Sequence, residues 1–264
     1  MIGDKELTKA FDNFSRPYGA IQGFSDALEM LVCEFCPHDV NQETNQLIGR
    51  YKETYLEVVR RFKNDDHIRK YYPPLCKALL DAYNKVVTPE GGWGDPLGDY
   101  FQEIASDRDK SWRGQFFTPV PLCDMMAKMV SNGNYIPNQE ISDPACGSGR
   151  TLIAYDRTCP PGSMNVYVGV DTDPRCIRIA AINFFFHGIR GILACGNSLS
   201  LEARFGYRVW SPEIGWGIEH LDAAACQQYI GIPYEPGTLK LDKSEIDLSD
   251  VKGSGDPGEQ LQLF

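Results

Sequence analysis

Asp143-Pro-Ala-Cys-Gly-Ser-Gly149 is the stretch that decides how this chain is read. The short run Glu140-Ile-Ser-Asp143 ahead of it reads as a strand, and Thr151 to about Tyr155 continues as a helix, so the stretch is a turn between the two. In such a turn the glycines let the backbone approach a ligand, and the following helix start offers N–H donors. Upstream stands Gly114-Gln-Phe-Phe-Thr-Pro119, and the two stretches together read as a nucleotide-cofactor pocket.

Working outward, Asn165-Val-Tyr-Val-Gly-Val-Asp171 is a short apolar run ending on a carboxylate, which predicts a buried second strand. Thr172 or Asp173 follows as helix cap, Pro174 takes the first helical position, Ile177 to His187 forms the helix, and Gly188 stops it. A third run, Gly191 to Ser198, ends in Gly196-Asn197. Repeated strand, turn and helix units predict a parallel sheet with ligand at the carboxyl ends of its strands. Asp171, at the end of the second strand, stands where a carboxylate accepts hydrogen bonds from both hydroxyls of a ribose. The turn departs from a dinucleotide fingerprint, having Gly147-Ser-Gly149 where that pattern has Gly-x-Gly-x-x-Gly.

Residues 1 to about 88 repeat apolar positions at helical spacing, as in Phe24, Leu28, Leu31, Val32 and Phe35, and predict a helical segment. Thr88 to Gly94 then reads as a loop, Asp95 to Phe101 as a short helix and Asp107 to Ser111 as a charged loop. A helix is predicted over 120 to 131, where Leu122, Met125, Met126, Met129 and Val130 form a one-sided stripe expected to lie in the core.

Composition narrows the function. A net charge of −10 over 264 residues excludes a protein that coats nucleic acid through charge alone. A local basic face remains open on Arg50, Lys52, Arg60, Arg61, Lys63, Arg69 and Lys70, beside the plainer reading of a solvated helix. Nine cysteines without a disulfide rhythm fit a reducing, cytoplasmic setting, and no apolar run approaches the length of a membrane span. Cys33 and Cys36 form one close pair with no second pair nearby, so no metal site is expected.

The segment from about 95 to 199 resembles the N6-adenine DNA methyltransferases of the type I modification-subunit kind, through its Phe-Thr-Pro element, its Asp-Pro-Ala-Cys-Gly-Ser-Gly turn and Asp171. Asp95 to Tyr100 resembles the lead-in of those subunits, and the first 88 residues resemble their helical bundle. The resemblance implies S-adenosylmethionine as cofactor and a class I, Rossmann-like α/β sheet with an N-terminal helical segment. It further implies that Phe117, Thr118 and Pro119 cover the cofactor. Asp143, Pro144, Ala145, Cys146, Gly147, Ser148 and Gly149 would cradle it, Asp171 would take the ribose, and Asn197 would flank the adenine.

The family's transfer loop, Asn/Asp-Pro-Pro followed by Tyr or Phe, holds the adenine amino group and stacks on the flipped base. That tetrapeptide is absent here. Ser211 and Pro212, following Arg208-Val-Trp210, are the candidate remnant, and Gly231-Ile-Pro-Tyr234 is a poorer one because it lacks the polar first residue. Trp93, Trp210 and Trp216 offer stacking surfaces or, more commonly for tryptophan, buried packing.

Residues 236 to 259 are rich in Asp, Ser, Gly and Lys and read as a mobile acidic tail. It leads to Gln260-Leu-Gln-Leu-Phe264, which resembles the bacterial sliding-clamp-binding motif. The resemblance implies that Gln260, Leu261, Leu263 and Phe264 engage a clamp; docking on the chain's own domain is the competing reading. The expected organisation is therefore a helical segment at 1–90, a cofactor-binding domain at 91–235 and a tail at 236–264. Two functions are expected. One is an S-adenosylmethionine-dependent DNA adenine methyltransferase using a degenerate loop or a partner subunit. The other is an inactive relative that keeps the cofactor pocket and acts as a clamp-tethered accessory.

Overall fold

A computed structural model describes residues 3–36, 38–40, 47–49, 51–62, 65–88, 92–106, 117–131, 137–210 and 217–230, all within the unit Met1–Gly231. In chain order these form α1 (Lys5–Ser15), α2 (Ala20–Glu34), β1 (His38–Val40), β2 (Leu47–Gly49), α3 (Lys52–Arg61), α4 (Asp65–Val86), α5 (Pro96–Ser106) and α6 (Val120–Ser131). There follow β3 (Glu140–Asp143), α7 (Arg150–Asp156), β4 (Val166–Asp171), α8 (Pro174–His187), β5 (Gly191–Asn197), β6 (Glu202–Trp210), β7 (Gly217–Asp222) and α9 (Ala223–Ile230).

The first part is helical for the reasons its sequence gives. Asp4 caps α1 by accepting the N–H groups of Glu6 and Leu7, and Leu7, Phe11 and Phe14 are buried along one stripe. In α2 the buried set Phe24, Ala27, Leu28 and Leu31 follows the same spacing. One feature departs from the helical expectation: β1 and β2 pair as a small antiparallel hairpin. Three-residue strands carry too little period-two alternation to stand out from a helical background.

The alternating part gives a five-stranded sheet in the order β3-β4-β5-β6-β7. β3, β4 and β5 are parallel, as predicted, with Asp143 beside Gly169 and Asp171 beside Cys195. The sheet is nevertheless mixed, because β6 pairs antiparallel with β5 and β7 antiparallel with β6. Only four residues separate Asn197 from Glu202, too few for the crossover that parallel pairing needs. α8 begins and ends as the sequence predicts, with Asp173 accepting the Arg175 N–H at 2.9 Å and Gly188 left-handed at φ 69°.

α8 is the central helix. Ile177, Ile179, Ala180, Ala181, Ile182 and Phe184 are all fully buried, because the sheet covers one side and α2 and α5 the other. The resulting core is continuous from Phe11, Phe24 and Leu28 through Tyr100 and Phe101 to Tyr167, Leu193 and Ile218. Among the described residues no helix is long and apolar enough to cross a membrane.

Candidate cofactor site

The turn after β3 is held from three directions. Within it, Asp143 Oδ1 accepts the Ala145 N–H at 3.0 Å, and Oδ2 accepts the Thr151 hydroxyl. From the next strand, Asp171 Oδ2 accepts the Gly147 N–H at 3.0 Å, while Oδ1 accepts the Asp173 N–H at 2.8 Å. Asp171 therefore braces the turn as well as facing it. A carboxylate offers about four lone-pair positions, so two remain for ligand hydroxyls.

Above the turn lies Phe117. Gly147 is left-handed at φ 54°, and a Cβ there would meet the Phe117 ring at 3.0 Å, so the ring lies on the backbone as a lid. Glycine is required twice over, by conformation and by space. Thr118 supplies its carbonyl to Arg150 Nη1 at 3.5 Å and to the Cys123 thiol at 3.5 Å, which ties the Phe117 to Pro119 segment to the turn and to α6. Gly114, Gln115 and Phe116 lie outside the described residues.

Beneath the turn runs a buried polar network that the sequence reading did not foresee. Asp95 accepts four hydrogen bonds: from Gly98 N–H at 2.7 Å, Asn183 Nδ2 at 2.9 Å, Ser148 Oγ at 2.6 Å and Arg150 Nε at 2.7 Å. Arg150 reaches Asp99 at 2.6 Å with its other arm, and its guanidinium lies 5.3 Å from the Phe117 ring centre. Asn183 also donates to the Ser148 carbonyl at 2.8 Å and accepts the Tyr83 hydroxyl. The signal was the charged pair Asp95 and Asp99 around Gly98 in a helix start: a Cβ on Gly98 would strike the Asp95 carboxylate. Next to the network, His187 donates from Nε2 to the Gly94 carbonyl at 2.8 Å, and burial pushes its pKa down to about 4.

The electrostatics bear on the ligand's charge. Burial, with Asp173 and Asp143 nearby, pushes the Asp171 carboxyl above its ordinary range, only partly offset by the two N–H groups it accepts. Asp173 is paired with Arg175 at 2.5 Å, whereas Asp143 and Asp171 have no cation among the described ion pairs. A ligand carrying positive charge relieves this cluster, and a pyrophosphate aggravates it. S-adenosylmethionine, with a sulfonium, an ammonium, a carboxylate and a ribose diol, brings net positive charge and hydroxyl donors to these acceptors.

Other expected residues fall elsewhere. Pro144 and Ala145 are exposed on the turn and Cys146 is buried beneath it. Asn197 ends β5 on the same edge as Asp143 and Asp171, but it is exposed, and its Oδ1 accepts the Leu199 N–H at 2.9 Å. Ser211, Pro212, Trp216 and the Gly231 to Tyr234 segment lie outside the described residues, as do Gln260, Leu261, Leu263 and Phe264. The strand leading to Ser211 is β6, and Val209 pairs with Gly191 at the start of β5, the opposite end from Asp171 and Asn197. Trp93 donates to Asp124 at 2.8 Å, and Arg208 lies 5.2 Å from the Trp210 ring centre. In the candidate basic face, Arg61 is paired with Asp26 and Glu29 and Arg60 with Glu53. Among the described residues no group of three or more His, Cys, Asp or Glu is placed to hold a metal.

Part of this sequence is shared with known proteins. Residues 94–204 match the N-6 DNA methylase family. The chain is 26% identical over 165 residues to the type I restriction enzyme MjaVIII methylase subunit of Methanocaldococcus jannaschii, covering 58% of this chain and 27% of that one. It is 26% identical over 145 residues to the EcoKI methylase subunit of Escherichia coli, covering 48% and 26%. It is 23% identical to the type II methyltransferase M.MamI of Microbacterium ammoniaphilum, covering 75% and 61%. The chain thus spans about a quarter of the type I subunits it matches. Among solved structures, a methyltransferase subunit of a type I restriction-modification system from Streptococcus thermophilus aligns with a TM-score of 0.34 at 15% identity, over 73% of this chain and 53% of that one.

Proposed function

We propose that this chain, which belongs to the N6-adenine DNA methyltransferase family, binds S-adenosylmethionine at the turn Asp143 to Gly149 and serves adenine methylation of DNA. The observation that carries the reading is the Gly147 turn, hydrogen-bonded to Asp171 beneath the Phe117 ring. When bound, the cofactor supplies an electrophilic methyl group on a sulfonium. The chain's own residues bind and orient: Asp171 receives the ribose hydroxyls, the Asp143 side of the turn faces the ammonium end, and Phe117 to Pro119 exclude water from above. Asn197 is proposed to flank the adenine. Isothermal titration with S-adenosylmethionine and S-adenosylhomocysteine tests this; no heat of binding at millimolar ligand ends the proposal.

Methyl transfer needs more than this pocket. The amine-holding tetrapeptide is absent from the sequence, and the strand before Ser211 and Pro212 ends away from the cofactor edge. We therefore assign cofactor binding to these residues and the amine-positioning groups to protein outside them, such as a partner subunit. The expected result is no labelled methyl transfer to DNA by the chain alone, and transfer once the partner is supplied; transfer by the isolated chain would return the role to Ser211 and its neighbours.

Gln260-Leu-Gln-Leu-Phe264 favours a second reading, in which the same pocket is kept without transfer and the chain is tethered to a sliding clamp as an accessory on DNA. Binding of purified clamp by the full chain, and its loss in a chain ending at Glu259, is the result this reading requires.

A further inference from the structure

A second recess shares no lining residue with the cofactor turn. It is a cleft of about 260 Å³ between α2, the start of α3, α8 and the β6–β7 pair, with Glu29, Thr54, Arg178, Phe205, Tyr207 and His220 among its lining residues. The strand period explains its floor. Phe205 and Tyr207 lie two apart on β6 and His220 pairs with Tyr207, so all three side chains leave the same face of the sheet. Tyr51 fixes the opposite wall: its hydroxyl accepts the His220 N–H at 3.1 Å and donates to the His220 carbonyl at 3.3 Å, which seats the start of α3 on the β7 backbone. His220 is itself exposed, so the recess opens to solvent there.

The recess is aromatic and holds one ion pair. The Phe205 and His220 rings are parallel within 6° at 5.8 Å between centres, and Tyr207 meets them edge-on at 5.8 and 5.6 Å. Arg178, whose side chain is 14% exposed, lies 5.6 Å from the Phe205 ring centre and 3.5 Å from Glu29 Oε2, which also accepts Arg61 at 3.3 Å. Neither charged group is saturated. Arg178 has Glu29 and the Tyr207 hydroxyl as hydrogen-bonding neighbours, and its Nε is buried without a partner, so the guanidinium keeps donors to spare. A carboxylate offers about four lone-pair positions, and at Glu29 the two arginines leave about two of them open.

Charge and size narrow the ligand. Asp26 and Glu29 are balanced by Arg61 and Arg178, and burial pushes the Cys33 thiol in the wall up to about 12, so the described groups around the recess favour neither sign of ion. Bringing a further charge to a balanced, half-buried set loses solvation that nothing there offsets. An uncharged planar ligand, with acceptors for Arg178 and donors for Glu29, meets no such penalty. A cavity of about 150 Å³ takes benzene and drug-sized ligands need about 300 Å³ or more, so this recess suits a single bicyclic ring. Guanine, alone among the common bases, sets two adjacent N–H donors beside a carbonyl on one edge, which matches the open positions on Glu29 and the spare donors of Arg178. We propose that this recess binds a guanine base, with its carbonyl on Arg178, its N–H donors on Glu29 and its ring against the aromatic wall.

The test titrates 9-methylguanine into the full chain carrying isotope-labelled histidine. The His220 ring signals should move, and those of His187, buried against the Gly94 carbonyl, should not. 9-Methyladenine and indole, which lack the edge of carbonyl and paired donors, should bind at least about tenfold more weakly, as expected when hydrogen bonds to charged groups are lost. Glu29→Gln should narrow the preference over 9-methyladenine, a change that a merely structural role for Glu29 would not produce. Thr54→Phe, which fills the recess from α3, should abolish binding, with the His187 signals in place as the sign that the variant is folded. Unmoved His220 signals at the solubility limit of 9-methylguanine would mean a recess that holds water only, and they overturn the proposal. Equal binding of the three compounds does the same. So does loss of 9-methylguanine binding under saturating S-adenosylhomocysteine, which would place the compound in the cofactor turn. The titration needs no cofactor, so failure of the cofactor reading leaves its outcome intact.

Discussion

Asp171 shows how one carboxylate can brace a turn and still keep acceptor positions for the proposed ligand. Its two oxygens accept the Gly147 and Asp173 N–H groups, and about two lone-pair positions remain for a ligand. Asp171→Ala is expected to weaken S-adenosylmethionine binding by about 1.5 to 3 kcal/mol, the scale of hydrogen bonds to a charged group. Calorimetry against the parent measures it. Because burial holds this carboxyl above the ordinary carboxylate range, protonation begins at a higher pH than for an exposed aspartate. Cofactor affinity should therefore weaken as pH falls through that raised value, and Asp171→Asn should flatten the profile. His187 carries the opposite signature. Its pKa falls from 6.5 unfolded to about 4 folded, so below pH 6.5 the unfolded chain takes a proton that the folded one refuses. Stability from this group is complete above about 6.5 and lost between there and 4, by up to about 3 kcal/mol. His187→Gln keeps a donor for the Gly94 carbonyl and removes the titration, so its urea midpoint should change less between pH 6.5 and 4.5 than the parent's. The position of Asp171 at the end of β4 was legible because it ends an apolar run. The contact of His187 was not, since its partner Gly94 lies far away in the chain.

At the scale of elements, periodicity was reliable for the existence of the long helices and silent on their orientation. The stripe Leu122, Met125, Met126, Met129, Val130 predicted α6 correctly and its buried side wrongly, because periodicity reports a face and not what covers it. The small residues Cys123 and Ala127 win the inner side by allowing close approach to Ala154. Met129→Lys should accordingly change stability by no more than about 0.5 kcal/mol, as for an ordinary surface position. Ala127→Leu should cost about 1 to 3 kcal/mol through overpacking. Chemical denaturation of both variants decides between the two faces, and the reverse ranking would restore the sequence expectation. The parallel strands β3, β4 and β5 were legible from their polar ends, whereas the reversal at β6 turned on a four-residue connection that strand pattern alone does not weigh.

Across the whole molecule, the cofactor turn is positioned by elements distant in sequence. Tyr83 on α4, Asp95 ahead of α5, Ser148 in the turn, Arg150 on α7 and Asn183 on α8 form one buried network, with Asp95 at its centre. The α/β order was readable from local signals, but this joint was not, because its members share no period and meet only after the helices pack. Its energetics follow from asymmetry: a buried ion pair adds little over apolar packing, yet removing one partner leaves the other charged and dry. Asp95→Ala strands Arg150, whose side chain is 5% exposed, and should cost about 3 to 5 kcal/mol. Asp95→Asn keeps acceptors for Gly98 and Ser148 while losing the charge, and should cost less. Asp99→Ala, which removes a partner that is 21% exposed, should cost least of the three, because water can reach the arm of Arg150 that it frees. Urea denaturation at unchanged m-value measures that order. Since Arg150 also holds the Thr118 carbonyl and lies against Phe117, cofactor affinity should fall in the same sequence of variants. Equal affinity across the three, with stability lost as stated, would mean that the network supports the fold without setting the lid.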